Sequence, residues 1–147
     1  MTTINDILLA KGTHVHTILE PATVLDAVKQ MNKHRVGCLV VIREDEMVIG
    51  IVAERDVLQF IASAQQDLSL VPVSKVMTRN AIVCSPEDCL DTARIIMKQH
   101  WVRQIPVIDG DGTLRGIVSI GDVNALSLTE DKIEIKYLHD YIHSGVR

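Results

Sequence analysis

Aromatic side chains are scarce. Phe60, Trp101, Tyr137 and Tyr141 are the whole set among 147 residues. A chain in which 47% of residues are hydrophobic must therefore build its core from Val, Ile, Leu, Met and Ala. A basic run is also missing, and the formal net charge is −4, which argues against a dedicated nucleic-acid binder. No apolar run is long enough to span a bilayer, and no basic segment leads into an apolar one near Met1, so neither a membrane protein nor an ordinary signal peptide is expected. Cys38, Cys84 and Cys89 are odd in number and lack CxxC spacing. They read as reduced core or near-core thiols of a cytoplasmic protein. There is no P-loop, no G-x-G-x-x-G, no ordered Ser, His and Asp set and no paired acids in a defined pocket. No catalytic residue is therefore assigned. His14 with His16, and His139 with His143, are each half of a metal site without completing ligands, so no metal is expected. His34 and His100 fall at matching helix ends, where a partly charged imidazole caps.

What the chain does have is a duplication. Ala27–Val57 and Ala93–Val123 align without a gap at an offset of 66 residues, fixed by Gly50 and Gly116, with 12 of 31 positions identical. A repeat of this size buries too little surface to be stable alone. The two are therefore read as one cooperative α/β module with apolar faces packed together. A cleft between related units is a natural place for a small ligand.

The pattern predicts a short helix from Ile4 to Lys11 stopped by Gly12, and a strand over Val15–Ile18. Thr23 with Asp26 opens a helix to His34. Strands follow at Cys38–Ile42 and Val48–Ala53, then a helix from Glu54 to Ser63. In the second copy, Ile82 and Val83 are expected in a strand. Ser85 should cap a helix with Pro86 at its first position and Asp88 at its third. Gln104–Ile108 and Leu114–Val118 form a hairpin around Asp109–Gly112, and a helix begins near Gly121. Each copy is thus strand–helix–strand–strand–helix. The division is a first repeat with its N-terminal helix over 1–63, a connector over 64–72, a second repeat over 73–127 and a terminal helix over 128–147. The apolar positions Ala27, Met31, Ala93 and Met97, with the helices after Asp56 and Asp122, suit a homodimer contact.

Gly116-Ile117-Val118-Ser119-Ile120-Gly121-Asp122, Val102–Ile108, Val73–Thr78 and their counterparts Gly37–Val41 and Gly50–Asp56 give the chain its resemblance to the CBS domain family, named for cystathionine β-synthase. The likeness runs over roughly residues 7 to 127 and implies a tandem CBS pair, or Bateman module, with repeats about a pseudo-twofold axis. It implies a regulatory, signal-transduction role rather than an enzyme's. An adenosine nucleotide would be held between the repeats, and an unknown regulated protein would read the change. AMP is the leading ligand, with ADP, ATP, NAD and S-adenosylmethionine as alternatives. A pure interaction module with vestigial pockets is the competing reading, with an enzyme behind it.

The main site implied by this likeness holds Ser119 and Asp122, on ribose or phosphate, beside Gly116. Ile82, Val83, Gln104, Ile105 and Pro106 supply the base slot, and Thr78, Arg79 and Arg103 the phosphate end. The residues alone leave Ser119-x-x-Asp122 open between a capping box and a ligand grip. A second, weaker site is expected at Asp56, with Glu54, Arg55, Val15, His16, Cys38 and Leu39, because Ala53 stands where Ser119 stands in the other copy.

Overall fold

Thr3 and Thr23 start the first two helices in the same way. Each hydroxyl accepts from the N–H of the aspartate three residues on, and that aspartate accepts from the threonine's own N–H. These reciprocal caps open α1 (Ile4–Lys11) and α2 (Val24–His34). The computed structural model describes residues 2–126, and the expected terminal helix over 128–147 lies outside them. The first half continues with β1 (Thr17–Leu19), β2 (Cys38–Ile42), β3 (Val48–Ala53) and α3 (Glu54–Ser63). The second holds β4 (Thr78–Arg79), α4 (Leu90–His100), β5 (Gln104–Ile108), β6 (Leu114–Ser119) and a helical segment over 120–126, here α5. The mixed α/β fold of two similar units follows the sequence pattern.

In the first half, β1 runs parallel to β2, and β2 pairs antiparallel with β3. In the second, β5 pairs antiparallel with β6. Both hairpins carry the same register shift, at Val41/Ile42 and at Val107/Ile108, so the offset of 66 reaches down to a bulge. The halves are also crossed. β4, from the second half, pairs with β3 of the first, Gly50 opposite Arg79 and Ile51 opposite Thr78. Val71, Val73 and Met77 fill the core around Ile18, Val24, Leu39 and Val52. Reciprocally, α1 puts Ile4, Ile7 and Leu8 into the core around Leu90, Ala93, Ile105 and Val118. Backbone bonds tie both arms down: Ile4 N–H donates to Asp88 O, Leu90 N–H to Thr2 O, Val24 N–H to Val71 O and Val73 N–H to Ala22 O.

Three expectations are corrected. Ile82 and Val83 form no strand. In the first half Val40 N–H donates to His16 O, at 3.1 Å, and carries the parallel ladder. The matching residue in the second half is Pro106, which has no N–H to offer Ile82. Pairing there shrinks to one bridge, Cys84 with Val107, and Val83 is left exposed. The second correction is the start of α4. Ser85 to Asp88 closes as a turn, Ser85 N–H donating to the Asp88 carboxylate and Asp88 N–H to Ser85 O. The helix starts at Leu90 with Cys89 as its cap residue, the position matching Thr23. Third, Ala27, Met31, Ala93 and Met97 are at most 5% exposed. They belong to the two cores and offer no surface to a second subunit. Large apolar side chains that are exposed include Leu58 and Ile61 on α3, Ile95 on α4, and Trp101.

The crossing depends on two glycines. A Cβ on Gly50 would stand 2.5 Å from Thr78 O, and one on Gly116 would stand 2.6 Å from the Leu8 Cδ2 methyl. A backbone carbonyl in a strand cannot move without dragging β4, whereas a leucine tip can turn. Gly50→Ala should therefore destabilise by about 1–3 kcal/mol, and Gly116→Ala by visibly less. Urea midpoints of the two variants check the order, and equal losses would contradict it.

Candidate functional site

β3 ends at Ala53 and α3 begins at once, which brings Asp56 back over the strand end. Ala53 has no hydroxyl to cap the helix, yet its N–H still donates to Asp56 Oδ2 at 2.8 Å. The acid therefore keeps a structural use without the cap residue. Its other oxygen accepts from the Thr78 hydroxyl at 3.2 Å, and Thr78 arrives through the crossing of β4 onto β3. Asp56 is half-buried and receives these two bonds from neutral donors.

This carboxylate faces a cleft of about 840 Å³ between the halves, within the usual span of small-molecule sites. The first half contributes Gly37, Ile51, Ala53, Glu54, Arg55, Asp56 and Leu58. The second contributes Thr78, Asn80, Ala81, Ile82, His100, Trp101, Arg103, Gln104, Pro106 and Ser119. The walls are thus apolar at Ile51, Ala81, Ile82 and Pro106, and cationic at Arg55 and Arg103. Arg55 Nη1 also donates to Trp101 O across the halves, at 3.4 Å. Trp101 ends α4 in the left-handed region, φ 55°, and the residue is 81% exposed.

Asp122 is placed differently. Ser119 N–H donates to its Oδ2 at 2.8 Å, and Asp122 N–H donates to Ser119 Oγ at 3.1 Å. Ser119-x-x-Asp122 is therefore a capping box in this structure. Lys11 Nζ, at the end of α1, donates to the same Oδ2 at 2.7 Å and to Ile117 O at 2.9 Å. Burial pushes the Asp122 carboxyl up. The bonds from Lys11 and Ser119 and the lysine's charge outweigh it, and the group sits below its ordinary value.

The residues grouped by sequence are regrouped by the crossing. Thr78, Ile82, Arg103, Gln104 and Pro106, expected beside Asp122, line the cleft with Asp56, Glu54 and Arg55, and Ser119 reaches its edge. Asp122, Gly116, Ile105, Val83 and Arg79 are not among the lining residues. Ile105 is fully buried core, Gly116 lies under Leu8, and Arg79 donates to Ser74 O. Of the residues expected beside Asp56, Leu39 is fully buried core, and Cys38 is buried with its thiol pushed up to about 11. Desolvation is the main cause, outweighing the lowering effect of nearby Lys11. Val15 is half-buried and outside the lining. His16 stacks on His34 with ring centroids 4.1 Å apart, and His14 meets it edge-on at 4.5 Å. Among the lining residues that sequence reasoning missed are Ile51, Leu58, Asn80, Ala81, His100 and Trp101. The offset could have signalled Asn80, Ala81 and His100, which match His14, Val15 and His34.

Among the described residues no group of three or more His, Cys, Asp or Glu could hold a metal ion, and no helix is long and apolar enough to cross a membrane. The CBS domain model matches residues 4–63 and 73–128. The mitochondrial CBS domain-containing protein CBSX3 of Arabidopsis thaliana is 36% identical over 152 residues, covering 98% of this chain and 73% of its own length. A crystal structure of a CBS-domain containing protein from Agrobacterium tumefaciens superposes with a TM-score of 0.80 at 32% identity, over 86% of this chain and 99% of that one. A CBS domain protein of Pyrobaculum aerophilum, solved in complex with AMP, superposes at 0.72 with 26% identity, over 82% and 88%.

His16 carries a pH prediction. Burial, then the charges of His34 and His14, hold its pKa below the ordinary 6.5. The unfolded chain then binds a proton that the folded one refuses. The stability that depends on neutral His16 is complete above about 6.5 and drains away as pH falls below it. His16→Ile, the residue at the matching position 82, should flatten the fall in urea midpoint between pH 7.5 and 5.5. An unchanged slope would count against the assignment.

Proposed function

The chain belongs to the CBS domain family, and from that premise we propose that it is a regulatory module that binds an adenosine nucleotide in the cleft between its two halves. Asp56 carries the reading. Its carboxylate stands at the cleft wall beside the Thr78 hydroxyl, and a pair of ribose hydroxyls are fitting donors for such a group. Ile82, Ala81 and Pro106 offer the base an apolar slot, and Gln104 a polar edge. Arg55 and Arg103 suit a phosphate. AMP is the first choice, supported by the complex of the Pyrobaculum relative. ADP, ATP, NAD and S-adenosylmethionine use the same adenosine grip.

The module works by binding and has no chemistry of its own. A nucleotide that favours one arrangement of the halves raises that arrangement's population, and a coupling of about 1–3 kcal/mol passes it to a regulated protein. The exposed Ile61 on α3 and Ile95 on α4, outside the cleft lining, support a homodimer contact. The buried, high-pKa thiols of Cys38 and Cys84 suit a reducing compartment such as the cytoplasm. The same exposed side chains, with Trp101, favour the second reading, a protein-interaction module whose cleft stays empty.

Thermal shifts with AMP, ADP, ATP, NAD and S-adenosylmethionine separate the two, since a ligand for the folded state raises stability. Saturable stabilisation is expected, and none with any of the five would leave the interaction module. Bonds to a charged acceptor are worth about 1.5–3 kcal/mol. Asp56→Ala should therefore weaken AMP about 10- to 100-fold by calorimetry, while circular dichroism shows the fold kept. Undiminished affinity would remove Asp56 from the site.

A further inference from the structure

The two halves can be compared position by position at the offset of 66, and the comparison singles out Lys11. Its counterpart is Met77. In the Asp56 half, Met77 is buried against Gly50, and the next residue, Thr78, gives the acid a neutral hydroxyl. In the Asp122 half, the arm ends in an ammonium 2.7 Å from the carboxylate, tethered to Ile117 O. The base slot differs in the same sense. Ile82 and His100 line the open cleft. Their counterparts are His16 and His34, and these two imidazoles lie on one another 4.1 Å apart with ring planes at 20°.

Resting on the nucleotide reading above, we propose that the Asp122 half is a latent nucleotide site closed by the chain's own side chains. One ligand then binds per chain where two similar halves would take two. Lys11 stands where a ribose would donate, and the stacked imidazoles stand where a base would lie. Lys11 already compensates the carboxylate's charge, so a ribose hydroxyl, a neutral donor, makes a weaker bond than the ammonium that stands beside it. Lys11 is held in reach because α1 is anchored by Ile4, Ile7 and Leu8 in the second core.

Calorimetric titration with AMP reads the stoichiometry. The intact chain should take one equivalent, weakened about 10- to 100-fold in Asp56→Ala and untouched in Asp122→Ala. The double variant Lys11→Met, His16→Ile carries at both positions the residues of the open half. It should take two equivalents, the second lost on adding Asp122→Ala. Two equivalents in the intact chain, or a one-equivalent isotherm lost in Asp122→Ala, overturns the proposal. So does a double variant that keeps its Asp56-dependent equivalent, and is therefore folded, yet gains no second. If the intact chain takes none while the double variant takes one that depends on Asp122, the latent site stands and the Asp56 reading fails. If neither takes AMP, both fall.

Discussion

Gly50 and Gly116 each leave a space on a strand, and a segment from outside its own repeat fills it. At Gly50 the segment is Met77 with the carbonyl of Thr78, and at Gly116 it is Leu8. The rest of the structure follows from this exchange. Neither repeat owns all of its core, since α1 completes the second and the stretch from Val71 to Met77 completes the first. Separating the halves would expose Ile4, Ile7 and Leu8 on one side and Val71, Val73 and Met77 on the other. These six side chains are at most 7% exposed. At about 1.5–3 kcal/mol for each large apolar side chain buried, that loss is comparable with the whole stability of an ordinary domain. The exchange thus makes two marginal repeats one cooperative body. It also sets a cleft between them, bounded by residues that cannot drift apart independently.

The exchange decides which side chains meet each acid. Asp56 and Asp122 are equivalent in sequence and both hold the N–H of the residue three before them. Their remaining chemistry comes from the arm that reaches across. One arm delivers Thr78, the other Lys11. A neutral hydroxyl leaves a carboxylate its charge to offer a guest, whereas an ammonium compensates that charge in place. Two copies of one motif, which already differ at Ala53 and Ser119, diverge further in this way through residues outside the motif.

Most elements were legible because local rules decide them. Thr23 with Asp26, the apolar run Cys38–Ile42, and the Asp109–Gly112 turn each specify their structure within a few residues. The offset would have served better than the local rule at α4. Ser85-Pro86 reads as a helix start on its own, yet the position matching Thr23 is Cys89, and the helix starts there. The absent strand at Ile82–Val83 was not legible from those two residues. Its cause sits over twenty residues away in Pro106. The site failed to group correctly for a topological reason. Thr78, Ile82, Gln104 and Asp122 lie in one repeat, so sequence proximity put them together, and nothing in a local pattern announces that an arm crosses.

The same topology explains why a guest in the cleft would be felt beyond it. Thr78 is at once a neighbour of Asp56 and half of the β3–β4 pairing. Arg55 reaches the carbonyl of Trp101, at the end of a helix in the other half. A ligand drawing on Asp56 and Arg55 therefore pulls on groups that join the two halves. Strands and helices packed to crystal-like density transmit such a pull as a shift of whole elements. Ile61 on α3 and Ile95 on α4 are exposed outside the cleft lining, whereas Leu58 and Trp101 are exposed on its wall. Ligand grip and exposed apolar surface thus share α3 and the end of α4. On the nucleotide reading, a guest held by Asp56 and Arg55 acts on the same helix that exposes Leu58 and Ile61.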